Sequence, residues 1–214
     1  VYGLGDEIGS GLQGTVYAVP GQPRAVKVLA STSSRERDRL REQINFVQGR
    51  PLDGLPLARP LELLRAPLVG YVMELLTEMS PLDAIMRPPS DGGDPMVWYI
   101  ATGGLRRRLR ILSRCADTFA QLHGIPLVYM DPSPKNILVS CHAESDEVWL
   151  IDTDNLYCIS SPIDTLYGTP RYVAPELFCR YTDPTSLADA YSFAVIAFET
   201  LAQTHPFEGR LVAD

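Results

Sequence analysis

Strand-type sequence crowds one end of this chain and long helix-type sequence the other, a division that few folds accommodate. Residues 1–30 read as three short strands, YGLGDEIG, GTVYAVP and RAVKVLA, punctuated by Gly and Pro. Strands are expected again near 61–65 and 69–75. Between them, Leu40, Ile44 and Val47 predict a helix over 34–48, with Ser33 or Ser34 as its cap. MELLTEM, 73–79, leaves the last of these strands and leads to a short helix near 82–86; PPSDGGDP, 88–95, reads as a polar loop. The strongest helical periods come later. Leu105, Leu109, Leu112, Ala116, Phe119 and Leu122 give 105–122 an apolar face. DAYSFAVIAFETLA, 189–202, is apolar almost all round and is expected to be buried. The class is α+β, with a small sheet-rich lobe over 1–76 and a second lobe over 77–214.

Composition narrows the functions. Acidic residues outnumber basic ones by 26 to 19, a net charge of −7, which argues against a general nucleic-acid binder. RERDRLRE, 35–42, alternates in sign and reads as a solvated helix face. Four cysteines at 115, 141, 158 and 179 form no CxxC pair, so free thiols in a reducing, cytoplasmic setting are expected. No apolar run of about eighteen residues marks a membrane span.

IGSGLQGTVY carries Gly9, Gly11 and Gly14, then Val16. A dinucleotide-binding G-x-G-x-x-G needs a helix after it, and here a strand follows. Such a hairpin serves equally as an ordinary Gly-rich turn or as a cover over phosphates, where a missing Cβ admits them. Lys27, between Val26 and Val28, is either an alternating surface lysine or an ammonium reaching into a cleft. In the second case Glu42 is the expected carboxylate partner and Glu36 the runner-up, though Glu36 sits where a helix start uses it.

YMDPSPKNILV, 129–139, and LIDTDN, 150–155, set polar residues beside short apolar strands. Singly, Asp131 before Pro132 serves as a turn former, Asn136 as a loop cap and Asp152 as an acceptor at a strand end. Together, Asp131, Asn136 and Asp152 can hold a metal-bound phosphate. His123 reads as a structural residue after a helix, and His142 and His205 as surface residues.

In this order and spacing the chain resembles the protein-kinase family, and within it a divergent, bacterial-looking branch of the serine/threonine type. The signs are GSGLQG with Val16, AVK, VMEL, LHG, D-x-x-x-x-N, the Asp of LIDTDN, GTPRYVAPE and the Asp that opens the last helix. The resemblance implies a two-lobed fold with an antiparallel sheet in the first lobe, ATP and Mg²⁺ as cofactors, and a protein substrate. It implies that Gly9, Gly11 and Gly14 cover the phosphates. Val16 and Ala25 would lie above adenine, Leu138 beneath it and Met73 at the gate, with the backbone of Glu74 to Leu76 at its edge. Lys27 and Glu42 would pair, Asp131 would take the substrate proton, and Asn136 and Asp152 would bind Mg²⁺. Thr169 would bond toward Asp131, and Asp189 would anchor the catalytic loop.

Departures from the family pattern are informative. Tyr129 and Met130 stand where His-Arg is usual, so activation through Thr165 or Tyr167 need not follow. Ser133 replaces a lysine, and Lys135 is placed to neutralise the γ-phosphate instead. Asp-Phe-Gly becomes Asp152-Thr153-Asp154, which loses an aromatic and adds a carboxylate near the metals, either as a ligand or as a source of repulsion. The family pairs Glu176 with a later Arg, and Arg210 comes too early to match it. The second lobe therefore reads as lacking its last helices, with a further domain or partner covering the gap. The leading expectation is a protein kinase. A nucleotide-binding pseudokinase is the alternative, and GTPRYVAPE disfavours a small-molecule kinase.

Overall fold

A computed structural model describes residues 3–11, 14–30, 33–90, 93–158, 168–179 and 182–208. The chain separates into two compact units, Val1–Thr77 with Ile151–Asp154, and Glu78–Leu150 with Asn155–Asp214. The class is α+β, as the sequence implied.

The first unit is built on strands β1 (Glu7–Gly11), β2 (Gly14–Ala18), β3 (Arg24–Leu29), β4 (Glu62–Leu63) and β5 (Gly70–Glu74), with helix α1 (Ser34–Gln48). The strands form one antiparallel sheet in the order β1-β2-β3-β5-β4. Ser33 caps α1, its hydroxyl accepting from the Glu36 amide at 3.2 Å. The strand period of two splits β3 between two small cores. Leu29 joins Ile44, Val69 and Tyr71, with Leu40, Leu63 and Met73 packed against them. Val26 joins Val19 and Val72. Each fully buried aliphatic contributes roughly 1.5–3 kcal/mol. Gly14 and Gly70 have φ of +155° and +150°, and a Cβ on either would run into the carbonyl oxygen of Val28 or Lys27. Gly14 is thus demanded by the sheet itself, whereas the space around Gly11 is open.

The second unit contains β6 (Met79–Pro81), a 3₁₀ turn (Leu82–Ile85), α2 (Pro95–Ala101), α3 (Gly104–Gly124) and β7 (Leu127–Val128). Next come β8 (Ile137–Ser140), β9 (Val148–Leu150), β10 (Tyr157–Cys158), α4 (Pro175–Phe178) and α5 (Ser186–Ala202). The small sheets are β6-β8-β9 and β10-β7. α3 packs on α5 and β7.

Two expectations about helix faces are corrected. On α3, Leu105 and Leu109 are exposed, as is Ala116, while the buried stripe includes Arg107, Arg108, Ile111, Leu112, Cys115, Phe119 and Leu122. The arginines go inside because waiting carbonyls receive them. Arg107 donates to Thr102, Ser140 and Ser145, and Arg108 to Ile85 and Gly104. Arg108 also lies over the Tyr99 and Trp98 rings, 4.3 and 5.3 Å from their centroids. α5 is not buried all round: Leu187, Phe198 and Leu201 are exposed. Its buried stripe carries Asp189, Ser192, Glu199 and Thr200 beside Val195 and Ile196. Glu199 is held by Arg87 at 2.6 Å and by the Tyr172 hydroxyl at 2.8 Å. His205 is also buried rather than on the surface, bonded to the Arg171 carbonyl at 3.0 Å beside the rings of Tyr172 and Phe207. Among the described residues, no helix is long and apolar enough to cross a membrane.

Candidate active site

In the first unit, antiparallel register sets Val16 opposite Lys27 and Ala25 opposite Met73, so these four share one face of the sheet. Lys27 is only 3% exposed. Its Nζ donates to Asp154 Oδ1 at 2.8 Å and to Asp152 Oδ1 at 3.0 Å. Burial works to lower its pKa, but the carboxylates of Asp154 and Asp152 outweigh it and hold the ammonium above its usual value. Tyr71, opposite Lys27 across β3 and β5, donates its hydroxyl to the same Asp154 oxygen at 2.7 Å. Gln43 of α1 donates to the Asp154 carbonyl at 3.1 Å, and buried Thr153 donates to the Ala58 carbonyl at 3.0 Å.

The expected Lys27–Glu42 pair is not formed. Glu42 is exposed, and Lys27 spends its charge on Asp152 and Asp154. Leu40 and Val47 turn the Gln43 position inward, three residues from one and four from the other; Glu42 lies about 200° round from Leu40. Glu36 lies in the first turn of α1. The sequence raised Asp154 only as an added carboxylate near the metals, and Tyr71 and Gln43 were not singled out. Only the β3–β5 register sets Tyr71 opposite the lysine.

In the second unit, Asp131 is fixed from two sides. Thr169 donates to its Oδ1 through both backbone amide and hydroxyl, at 2.7 and 2.8 Å. Asn136 donates its amide to Asp131 Oδ2 at 3.2 Å and to the Asp131 carbonyl at 3.0 Å. Just upstream of Asp131, the amides of Tyr129 and Met130 donate to the carboxylate of Asp189, itself 1% exposed, at 2.7 and 3.1 Å. His123 lies 2.9 Å from the same carboxylate. This is the backbone anchoring expected of Asp189. Lys135 is exposed. Leu138 lies on β8, opposite Pro81 and Trp149. Glu74 is exposed and Leu76 half-buried, following β5. Thr165, Tyr167 and Arg210 lie outside the described residues.

A family model for the protein kinase domain matches residues 104–213, just over half the chain. This chain belongs to the protein kinase family. Human serine/threonine-protein kinase H2 is 28% identical over 156 residues, covering 69% of this chain and 40% of that protein. Human serine/threonine-protein kinase H1 is 32% identical over 124 residues, covering 55% of this chain and 29% of that protein. Pkn2, a serine/threonine-protein kinase of Myxococcus xanthus, is 29% identical over 112 residues, covering 49% and 13%. The chain thus spans well under half the length of these relatives. It is a divergent member of the family, with both bacterial and animal relatives.

Each unit carries an oxygen donor of the kind that a hard divalent cation takes, Asp152 in the first and Asn136 in the second. The Asp152 side chain is 35% exposed, less enclosed than that of Asp154 at 6%. Asn136 makes its bonds to Asp131 through the amide nitrogen, which leaves the side-chain oxygen for a cation. Among the described residues, no three His, Cys, Asp or Glu side chains gather into a metal site of their own.

Proposed function

We propose that this chain is an ATP- and Mg²⁺-dependent protein kinase module that transfers the γ-phosphate to a protein hydroxyl, serine or threonine favoured. The observation that carries the proposal is the fixed carboxylate of Asp131, with Thr169 on one oxygen and Asn136 on the other. Phosphoryl transfer asks little covalent help of the protein and depends on position and charge. Asp131 orients the substrate hydroxyl and accepts its proton as the oxygen bonds to the γ-phosphorus and the β–γ bridging bond breaks. Lys27 offsets phosphate charge. Asp152 and Asn136 are the oxygen donors offered to Mg²⁺, which neutralises charge on the phosphates when bound. Lys135, exposed beside the catalytic loop, adds a cation for the γ-phosphate. Serine/threonine preference rests on GTPRYVAPE and on the names of the relatives. A cytoplasmic setting accords with ATP use. The exposed Leu187, Phe198 and Leu201 of α5 favour a further domain or partner over that helix.

The test is γ-phosphate transfer to the chain itself and to a mixed peptide library. Asp131→Asn is expected to lower the rate about 10²–10⁴-fold with ATP still bound. Nucleotide binding with no transfer above the Asp131→Asn control would favour the pseudokinase. The four-residue change of Tyr129, Met130, Thr153 and Asp154 from the family pattern keeps that reading in the test.

A further inference from the structure

A buried ammonium that must meet phosphate needs a carboxylate that holds it in place without being drawn off to other work. Two acids touch Lys27, and they differ. Asp152 is about a third exposed, has a left-handed φ of 55°, and is the acid with metal-binding chemistry. Asp154 is enclosed, and its Oδ1 receives both Lys27 and the Tyr71 hydroxyl. Its backbone is held as well, by the Gln43 side chain on its carbonyl. Its neighbour Thr153 is tied to the Ala58 carbonyl. Asp154 is therefore fixed from β5, from α1 and through the loop at Ala58. Glu42, the acid on α1 that the family pattern suggested, points to solvent.

We propose that Asp154 is the residue that positions Lys27 for phosphate, and that α1 contributes through the neutral amide of Gln43 rather than through an acid. The proposal rests on the kinase reading and deepens it by dividing labour between the two acids. Asp154 holds the lysine; Asp152 shares it and keeps its exposed side for the metal. An uncharged contact from α1 means that the ammonium keeps a buried counter-charge without any carboxylate from that helix. Asp154 acts through Lys27 and is a positioning residue, with no contact to the reacting atoms assigned to it.

The experiment compares binding of Mg-ATP and of adenosine, which lacks phosphates, to the whole chain by calorimetry. Asp154→Asn is expected to weaken Mg-ATP at least about tenfold and adenosine less than about twofold, because only the phosphates meet Lys27. Asp154→Glu is expected to recover part of the loss. Tyr71→Phe, a milder change, is expected to weaken Mg-ATP about threefold with the same indifference to adenosine. A double-mutant cycle of Lys27→Met with Asp154→Asn on the nucleotide-free protein, read by urea unfolding, is expected to show coupling. Equal weakening of both ligands would make Asp154 merely structural and overturn the proposal. So would a tenfold loss of Mg-ATP in Glu42→Gln, or an Asp154→Asn protein that binds Mg-ATP like wild type. Should Asp154→Asn not fold, Tyr71→Phe decides: no selective loss of Mg-ATP overturns the proposal. A wild-type chain that binds no Mg-ATP would overturn the kinase reading itself, a result distinct from all of these.

Discussion

Asp154 in the first unit and Asp189 in the second are both buried carboxylates, 5% and 1% exposed, yet they are satisfied in opposite ways. Asp154 faces a full positive charge on Lys27 and a tyrosine hydroxyl. Asp189 faces two backbone amides and a histidine ring. The first arrangement holds a side chain whose charge is to be used. The second holds a stretch of main chain, and through it the start of the loop that carries Asp131. The lesson concerns what is stranded when a partner goes. Removing the cation from the first leaves two carboxylates without their counter-charge; removing the acid from the second leaves amides without acceptors.

That contrast can be tested by urea unfolding of single variants. Lys27→Met is expected to cost the most, about 4 kcal/mol, since it breaks a buried ion pair from one side. Asp189→Ala is expected to cost about 3 kcal/mol, from two donors left unpaired. A loss for Asp189→Ala well above that for Lys27→Met would reverse the ranking and place the greater strain on the main-chain anchor. Tyr71→Phe removes one hydrogen bond to a charged acceptor and is expected to cost about 1.5 kcal/mol. Glu42→Gln is expected to change stability by less than about 0.5 kcal/mol, as befits an exposed helix residue. A loss above 1.5 kcal/mol there would mean that the helix acid is engaged after all.

Much of this was legible in the sequence because it followed from periodicity and spacing. The three opening strands and α1 came from alternation and a Ser cap, and the short strands β8 and β9 from apolar runs flanked by polar residues. Asp131 and Asn136 were raised by their spacing within one short loop, and their roles, with that of Thr169, came from the resemblance to the protein-kinase family. What escaped reading depended on a partner distant in the chain. Arg107 and Arg108 are buried because carbonyls from Ile85 to Ser145 receive them, and no helical wheel of α3 contains those carbonyls. Helix α2, PMVWYIA, is short and apolar throughout, with no polar residues to alternate with, so no helical period marked it; Asp94 as cap and Pro95 at the first turn were its signals. The Lys27 partner was misread. A carboxylate was sought along α1, whereas the inward position there belongs to Gln43 and the acid comes from residue 154, more than a hundred positions away.

The left-handed backbone at Asp152 has a consequence for how this motif can change over generations. The chain makes its unusual turn at residue 152, with φ of 55°, and residue 154 sits in an ordinary 3₁₀ turn over Thr153–Asn155. A left-handed site admits few residue types at low cost, chiefly Gly, Asn and Asp. Position 152 is therefore confined twice, by its backbone and by its chemistry, and drift there is narrow. Position 154 is under no such backbone rule; what confines it is burial against Lys27 and Tyr71, so its side chain is set by its partners and not by the turn.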